Sequence, residues 1–236
     1  PSVIYPGQRV DASKPSQDIL PQSKQAAKVG VQSVQPTTAV GALVGEAGVS
    51  GGSASYQIPI ALPPGRAGMQ PSVSIGYSSK GGNGVMGSGF GLNAGGSVHR
   101  CPQTVAQDGV IRGVRMDASD KLCLSGQRLR LFPSAGYGQS GSEYRTELFN
   151  GQRIKLLGGG IQDSTAYFEV TEKSGTRHLY RTRAVQSGHS AAVSWMLSES
   201  VDVHGNQIHY SYNEGAHING ALGAGEMLLT RIRYTG

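Results

Sequence analysis

From residue 45 onward, apolar and polar residues alternate in short runs, with a period of two, and glycine, proline or asparagine separates the runs. That period places successive side chains on opposite faces of a strand. Ala54–Ile60 alternates, and Pro59 within it suits an edge strand. Pro71–Tyr77 alternates again, with Val73, Ile75 and Tyr77 on one face. From about residue 110 the chain reads as successive hairpins. Leu122–Leu124 and Gln127–Phe132 flank Ser125-Gly126, and Tyr144–Phe149 and Gln152–Leu157 flank Asn150-Gly151. Tyr167–Thr171 and Thr176–Tyr180 flank a Lys-Ser-Gly turn, and Trp195–His204 and Gln207–Tyr212 flank Gly205-Asn206. Short, evenly spaced strands of this kind predict an all-β fold built as an antiparallel meander of hairpins.

The last hairpin allows a residue-level expectation. With Gly205-Asn206 as a two-residue loop, Val203 faces Ile208 and Val201 faces Tyr210, which makes one apolar face. Asp202 then faces His209, and Ser200 faces Ser211, on a polar face. On this register Val203→Asp destabilises by burying a charge, and Asp202→Asn changes little. Residues 1–44 differ from all of this. They carry Pro1, Pro6, Pro15, Pro21 and Pro36 among Ser, Gln and Lys, without apolar periodicity. They read as an extended or disordered linker ahead of a β domain over residues 45–236.

Composition supports strands and turns: 37% of the 236 residues are hydrophobic, 15% are charged and 36 are glycine. The net charge of +6 comes from basic residues scattered singly, such as Arg112, Arg115, Lys121, Arg128, Arg130, Arg145 and Arg153. Nucleic-acid binding calls for a patch or stripe with aromatic platforms, so no nucleic-acid partner is expected. No run of 18 apolar residues is present, so no membrane-spanning helix is expected, and no signal peptide is visible. The chain begins at Pro1 without methionine and ends on a strand-like Arg231–Gly236, so it is read as a fragment or a processed product.

Candidate chemistry is sparse. Gly82, Gly84 and Gly87 fit the G-x-G-x-x-G pattern of a dinucleotide loop, but that loop must open a helix. Here Gly89, Gly91, Gly95 and Gly96 follow, so a glycine-rich β segment that turns a sheet corner is the expectation. Gly48-Val-Ser50-Gly-Gly52 fits G-x-S-x-G, again without the helix that a nucleophile elbow needs. Asp202, His209 and Ser211 are the residue types of a hydrolase triad, with no oxyanion hole evident. The six histidines are dispersed without metal-ligand spacing. No cofactor, metal site or catalytic residue is expected, and the chain is not read as an enzyme. Cys101 and Cys123 fit no zinc spacing, which leaves a disulfide or two free buried thiols. A bridge closing a loop of that size stabilises by about 3 kcal/mol in the chain-entropy model.

Several stretches, in order, resemble the SpvB/TcaC N-terminal domain. They are Glu46–Ser50, Ala54–Ile60, Pro63-Pro-Gly65, Gly68–Pro71, Ile75–Ser79, Gly82-Asn-Gly84 and Gly87–Leu92, then Arg100-Cys-Pro102, Gln107-Asp-Gly109 and Leu122–Leu129. Asp202–Asn206 with Tyr210-Ser-Tyr212 resembles a hairpin of that domain and of Rhs/YD repeats. The chain departs from the family at Phe90, where Trp is usual, and at Gly91, where Ser is usual. The resemblance implies the opening of the B component of an insecticidal toxin complex or a related virulence protein. There, B and C subunits build a hollow Rhs-type β-shell around a toxic C-terminal segment. It therefore implies a non-catalytic structural role in a secreted toxin. The partners it implies are the remainder of the same Rhs-type polypeptide or a C-type subunit carrying the toxic segment, and a translocation pore component. A different class, a surface-binding β module for a glycan or receptor, is motivated by the Tyr and Arg content of residues 128–183.

Overall fold

The computed structural model describes residues 45–50, 52–84, 86–132, 135–186, 189–214 and 227–234. The expectation for residues 1–44 lies outside the described residues. Two β assemblies follow one another along the chain. The first is a four-stranded antiparallel sheet in the order β1–β2–β3–β6, from β1 (Glu46–Ser50), β2 (Ser53–Pro59), β3 (Val73–Ser78) and β6 (Phe90–Ala94). A small hairpin of β4 (Asn83–Gly84) and β5 (Gly87–Ser88) is inserted between β3 and β6. Tyr56, Tyr77 and Phe90 line up across three strands, with the Tyr77 and Phe90 rings 4.9 Å apart. Phe90 thus packs on Tyr77 across the sheet. At Gly91 a Cβ would meet open space, so a small side chain is accommodated there.

Gly95 and Gly96, both at positive φ, lead from this sheet into the second assembly. A Cβ on Gly95 would sit 3.2 Å from the Tyr212 hydroxyl, so the corner requires glycine for both conformation and space. The expected sheet corner falls here. The second assembly begins with β7 (Ser97–Cys101), β8 (Lys121–Leu124), β9 (Gln127–Phe132), β10 (Glu143–Thr146) and β11 (Arg153–Leu157). It continues with β12 (Tyr167–Thr171), β13 (Arg177–Val185) and β14 (Ala192–Val201). Consecutive strands pair antiparallel, and β14 pairs with both β13 and β7, so β7 through β14 close into a barrel. Beyond the closure, β15 (Gln207–Glu214) and β16 (Met227–Tyr234) extend the wall as a hairpin.

β14 makes this possible. Its residues Ser194–Met196 pair with β7, whereas Glu199–Val201 pair with β15 on the same edge. Register shifts against β13 around Tyr180 fall opposite Met196–Glu199 and bend the strand between these two duties. Inward residues of the alternating strands fill the barrel. Val98, Leu122, Leu129, Tyr144, Ile154, Leu156, Phe168, Val170 and Trp195 are all essentially inaccessible to solvent. An aromatic chain crosses the interior. Tyr137 meets Tyr144 edge-on at 5.2 Å, Phe168 meets Trp195 edge-on at 5.0 Å, and the Trp195 indole N–H donates to the Ala166 carbonyl at 2.9 Å.

Ser125-Gly126, both at positive φ, close the β8–β9 hairpin as a two-residue turn, with Leu124 opposite Gln127. Two other hairpins differ from the expected register. Tyr144 pairs with Ile154, so the β10–β11 connection runs over residues 147–152 and not through Asn150-Gly151 alone. The Asn150 carboxamide oxygen accepts from the Gln152 amide, which fixes a local turn, and Leu148 and Phe149 stand exposed.

The correction at the last hairpin changes its faces. Ser200 pairs with Ile208 and Val201 with Gln207, so residues 202–206, including Gly205 and Asn206, form a five-residue loop. The pairing has slipped by an odd number of residues, which exchanges the two faces of β14. Ser200 enters the core with Ile208 and Tyr210, while Val201 is half-buried outside it and Val203 is 65% exposed. The Asp202 carboxylate causes the wider loop. It accepts from the His204 amide at 2.8 Å, the Asn206 amide at 2.9 Å and the Asn206 side chain at 2.7 Å. Buried Ser200 is satisfied by the His178 ring at 2.8 Å.

This register reverses the mutational expectation. Val203→Asp should leave stability within about 0.5 kcal/mol of wild type, whereas Asp202→Ala should lower the melting temperature. The Asn206 side chain, with the Asn206 and His204 amides, holds the Asp202 carboxyl below its ordinary range. A depressed folded-state value contributes stability above the unfolded value and loses it as pH falls through the folded one. The gap between wild type and Asp202→Ala should therefore be full near neutrality and close under acid. Thermal melts across pH test this; a larger loss for Val203→Asp would restore the two-residue turn.

Candidate functional site

The residues singled out for chemistry do not converge. Asp202 is committed to its own loop, and His209 is exposed on β15, opposite Glu199 and Arg233, with its ring 3.2 Å from the Gln207 side chain. Ser211 lies opposite Arg231. Gly82, Gly84 and Gly87 sit in and beside the β4–β5 hairpin, and no helix follows them. Ser50 ends β1 and is followed by β2, not by a helix. Among the described residues, no group of three or more His, Cys, Asp and Glu side chains is placed to hold a metal ion. No helix among them is long and apolar enough to cross a membrane.

The buried polar groups have structural work. Arg100 follows Val98 on β7 and points into the end of the barrel, where its side chain is inaccessible to solvent. Its guanidinium donates to the Ala192 carbonyl at 2.7 Å, the Asp117 carbonyl at 2.8 Å, the Asp120 carboxylate at 2.9 Å and the Ile161 carbonyl. Asp120 also accepts the Arg115 and Met116 amides. One side chain thus ties β7 to the start of β14 and to two loops. On the outer wall Arg128 does the same for the short helix α1 (Val105–Asp108), donating to the Pro102 carbonyl, Gln107 and Asp108. The sequence shows Arg128 as one of a scattered basic set and Arg100 only within the family-like stretch Arg100-Cys-Pro102. The available signal was alternation, since Arg100 shares the inward phase of Val98.

Cys101 and Cys123 form a disulfide diagonally across β7 and β8, with Cα atoms 5.9 Å apart and both residues almost fully buried. Burial lowers the basicity of neighbouring His99, which lies opposite Cys123 on the same face. With both sulfurs bonded to each other, that face offers no thiol nucleophile.

The fold defines a closed antiparallel β-barrel, filled by side chains and continued past its closure by a hairpin, behind a small four-stranded sheet. The comparisons place this architecture. Residues 48–111 match the family described as Salmonella virulence plasmid 65kDa B protein, SpvB. The N-terminal domain of effector protein SpvB from Salmonella typhimurium strain LT2 is similar in fold, with a TM-score of 0.55 and 20% identity over 75% of this chain and 63% of that one. The Photorhabdus luminescens Tc holotoxin pore gives 0.62, with 19% identity over 78% of this chain and 9% of that one. A TcdB2–TccC3 structure gives 0.63, with 19% identity over 85% of this chain and 10% of that one. The chain thus spans a small part of the Tc toxin chains and less than two thirds of the SpvB structure. No curated protein matches the sequence. The recognition of an SpvB-type all-β fold rests on these matches.

Two measurements examine the polar framework. Arg100→Leu leaves Asp120 buried without its cation and should cost about 3–5 kcal/mol. The double variant Arg100→Leu/Asp120→Leu should cost less than the sum of the two single variants, although the carbonyls and amides that the pair served stay unpaired. Urea unfolding of both single variants and the double variant checks this, and losses that simply add would mean that the pair is not coupled. Replacing both Cys101 and Cys123 by Ser should cost roughly 3 kcal/mol in the same assay; a variant as stable as the parent would show that the bridge contributes nothing.

Proposed function

We propose that the chain is a non-catalytic structural domain of a secreted Rhs- and toxin-complex-type toxin, one part of the hollow β-shell that encloses and delivers a toxic C-terminal segment. The observation that carries this reading is the β15–β16 extension. The barrel interior is filled, leaving the wall as the working surface, and that wall runs on past its own closure. Among the described residues the outer edge of β16 pairs with no strand. An eight-residue strand edge without a neighbouring strand is a template for another strand. In a shell, that strand comes from the remainder of the same Rhs-type polypeptide or from a C-type subunit carrying the toxic segment. A translocation pore component is a further partner in this reading. Synthesis in the cytoplasm is followed by export.

The alternative, a glycan- or receptor-binding module, rested on Tyr and Arg within residues 128–183. Tyr144 and Tyr180 lie in the core, and Arg181 stacks 5.0 Å over the Tyr167 ring. Arg130, Arg153 and Arg177 each face a glutamate. These engagements leave little aromatic surface for a sugar, which favours the shell.

Hydrogen exchange at the β16 amides tests the proposal. Outward amides of β16 should exchange rapidly in the isolated chain and become protected in the assembled toxin. Equal exchange in both states would remove β16 as the continuation edge, and NAD hydrolysis or actin modification by the isolated chain would overturn the non-catalytic reading.

A further inference from the structure

The β15–β16 hairpin also borders a groove of about 680 Å³ that the shell reading leaves unused. Met69 and Ile232 contribute apolar surface to it, Arg66 and Arg233 are its cationic groups, and Asn206, Gln207 and His209 add polar edges. The Tyr234 hydroxyl donates to the Pro63 carbonyl at 2.9 Å and fastens the β2–β3 connection to the end of β16. Among the described residues no carboxylate lines the groove. Arg100, Arg128, Arg130, Arg145, Arg153 and Arg177 each meet an acidic partner. Arg66 and Arg233, like Arg112, Arg115, Arg181, Arg183 and Arg231, form no ion pair among the described residues, and what sets these two apart is that they border one groove. Glu199, which stands opposite His209, is also without an ion pair among the described residues. Asp202, close by in the loop, is held by Asn206 and the loop amides.

We infer that this groove binds an acidic, extended peptide segment of a partner protein. Carboxylates of the segment meet Arg66 and Arg233, where guanidinium forks suit them. Aliphatic side chains between those carboxylates cover Met69 and Ile232. The Asn206 carboxamide, whose nitrogen already donates one hydrogen to Asp202, keeps its oxygen as an acceptor, and the Gln207 carboxamide, whose oxygen meets the His209 ring, keeps its N–H donors for a peptide backbone. A small inorganic anion would use the arginines and leave the apolar surface exposed, so the lining favours a peptide. The groove volume lies within the roughly 300–1,000 Å³ of ordinary binding clefts. This inference does not depend on the shell reading.

Fluorescence polarisation with the chain and a short labelled peptide of alternating glutamate and leucine tests it. Binding should saturate and weaken with salt. Arg66→Glu and Arg233→Glu should each weaken it about tenfold or more, and Arg66→Gln and Arg233→Gln less. Arg115→Glu changes net charge equally from the exposed 113–115 segment and should have an effect below about twofold. Unchanged melting temperatures confirm that the variants fold. Failure of the peptide to saturate, equal binding of its lysine-for-glutamate counterpart, an equal effect of Arg115→Glu, or displacement by free glutamate at the peptide's own concentration would each overturn the inference.

Discussion

The division of β14 between two neighbours governs the architecture. A barrel closes only if its last strand finds its first, and here His99 and Ser194 meet across that seam. A sheet continues only if an edge remains, and the same edge of β14 receives β15 a few residues further on. Both conditions hold because the register shifts against β13 bend and twist the strand, so its two halves face different partners. Trp195 anchors the point of division, with its ring against Phe168 and its indole N–H on the Ala166 carbonyl.

Burial of Arg100 is a second consequence of closure. The barrel end gathers carbonyls of Ala192, Asp117 and Ile161, and a guanidinium in their midst satisfies all three. The Asp120 carboxylate balances its charge and is itself held by two backbone amides. Removing one member of such a pair leaves an uncompensated charge, so the network enforces one arrangement of the barrel end more than it adds net stability. The disulfide and the Arg128 clamp act on the outer wall of the same strands. Arg100 thus braces the seam from inside, and the disulfide and Arg128 brace the neighbouring strands from outside.

The consequence for function is a division between a rigid body and open margins. The filled barrel has no interior for a substrate, while the β15–β16 hairpin offers an unpaired edge and one side of a cationic groove. In the Tc toxin structures of similar fold, the matched region is about a tenth of the chain.

The sequence by itself determined the strand class, the antiparallel hairpins and the glycine corner, because alternation and positive-φ turn residues act over a few neighbours. Ser125-Gly126 shows this best: the turn is local, and its register followed. At Asp202 the local pattern misled. Alternation supported Val203 facing Ile208, but three hydrogen bonds to one carboxylate favoured a five-residue loop, and the odd slip exchanged the faces. At Asn150-Gly151 a side-chain turn likewise outweighed the two-residue hairpin. Only the tertiary structure decided that the meander closes on itself, that Arg100 lies inside, that Cys101 and Cys123 meet, and that Arg66 and Arg233 border one groove. The contact of Arg100 with Ala192 joins residues 92 apart. Such a contact depends on the summed twist of every strand between them, which no short stretch of sequence encodes.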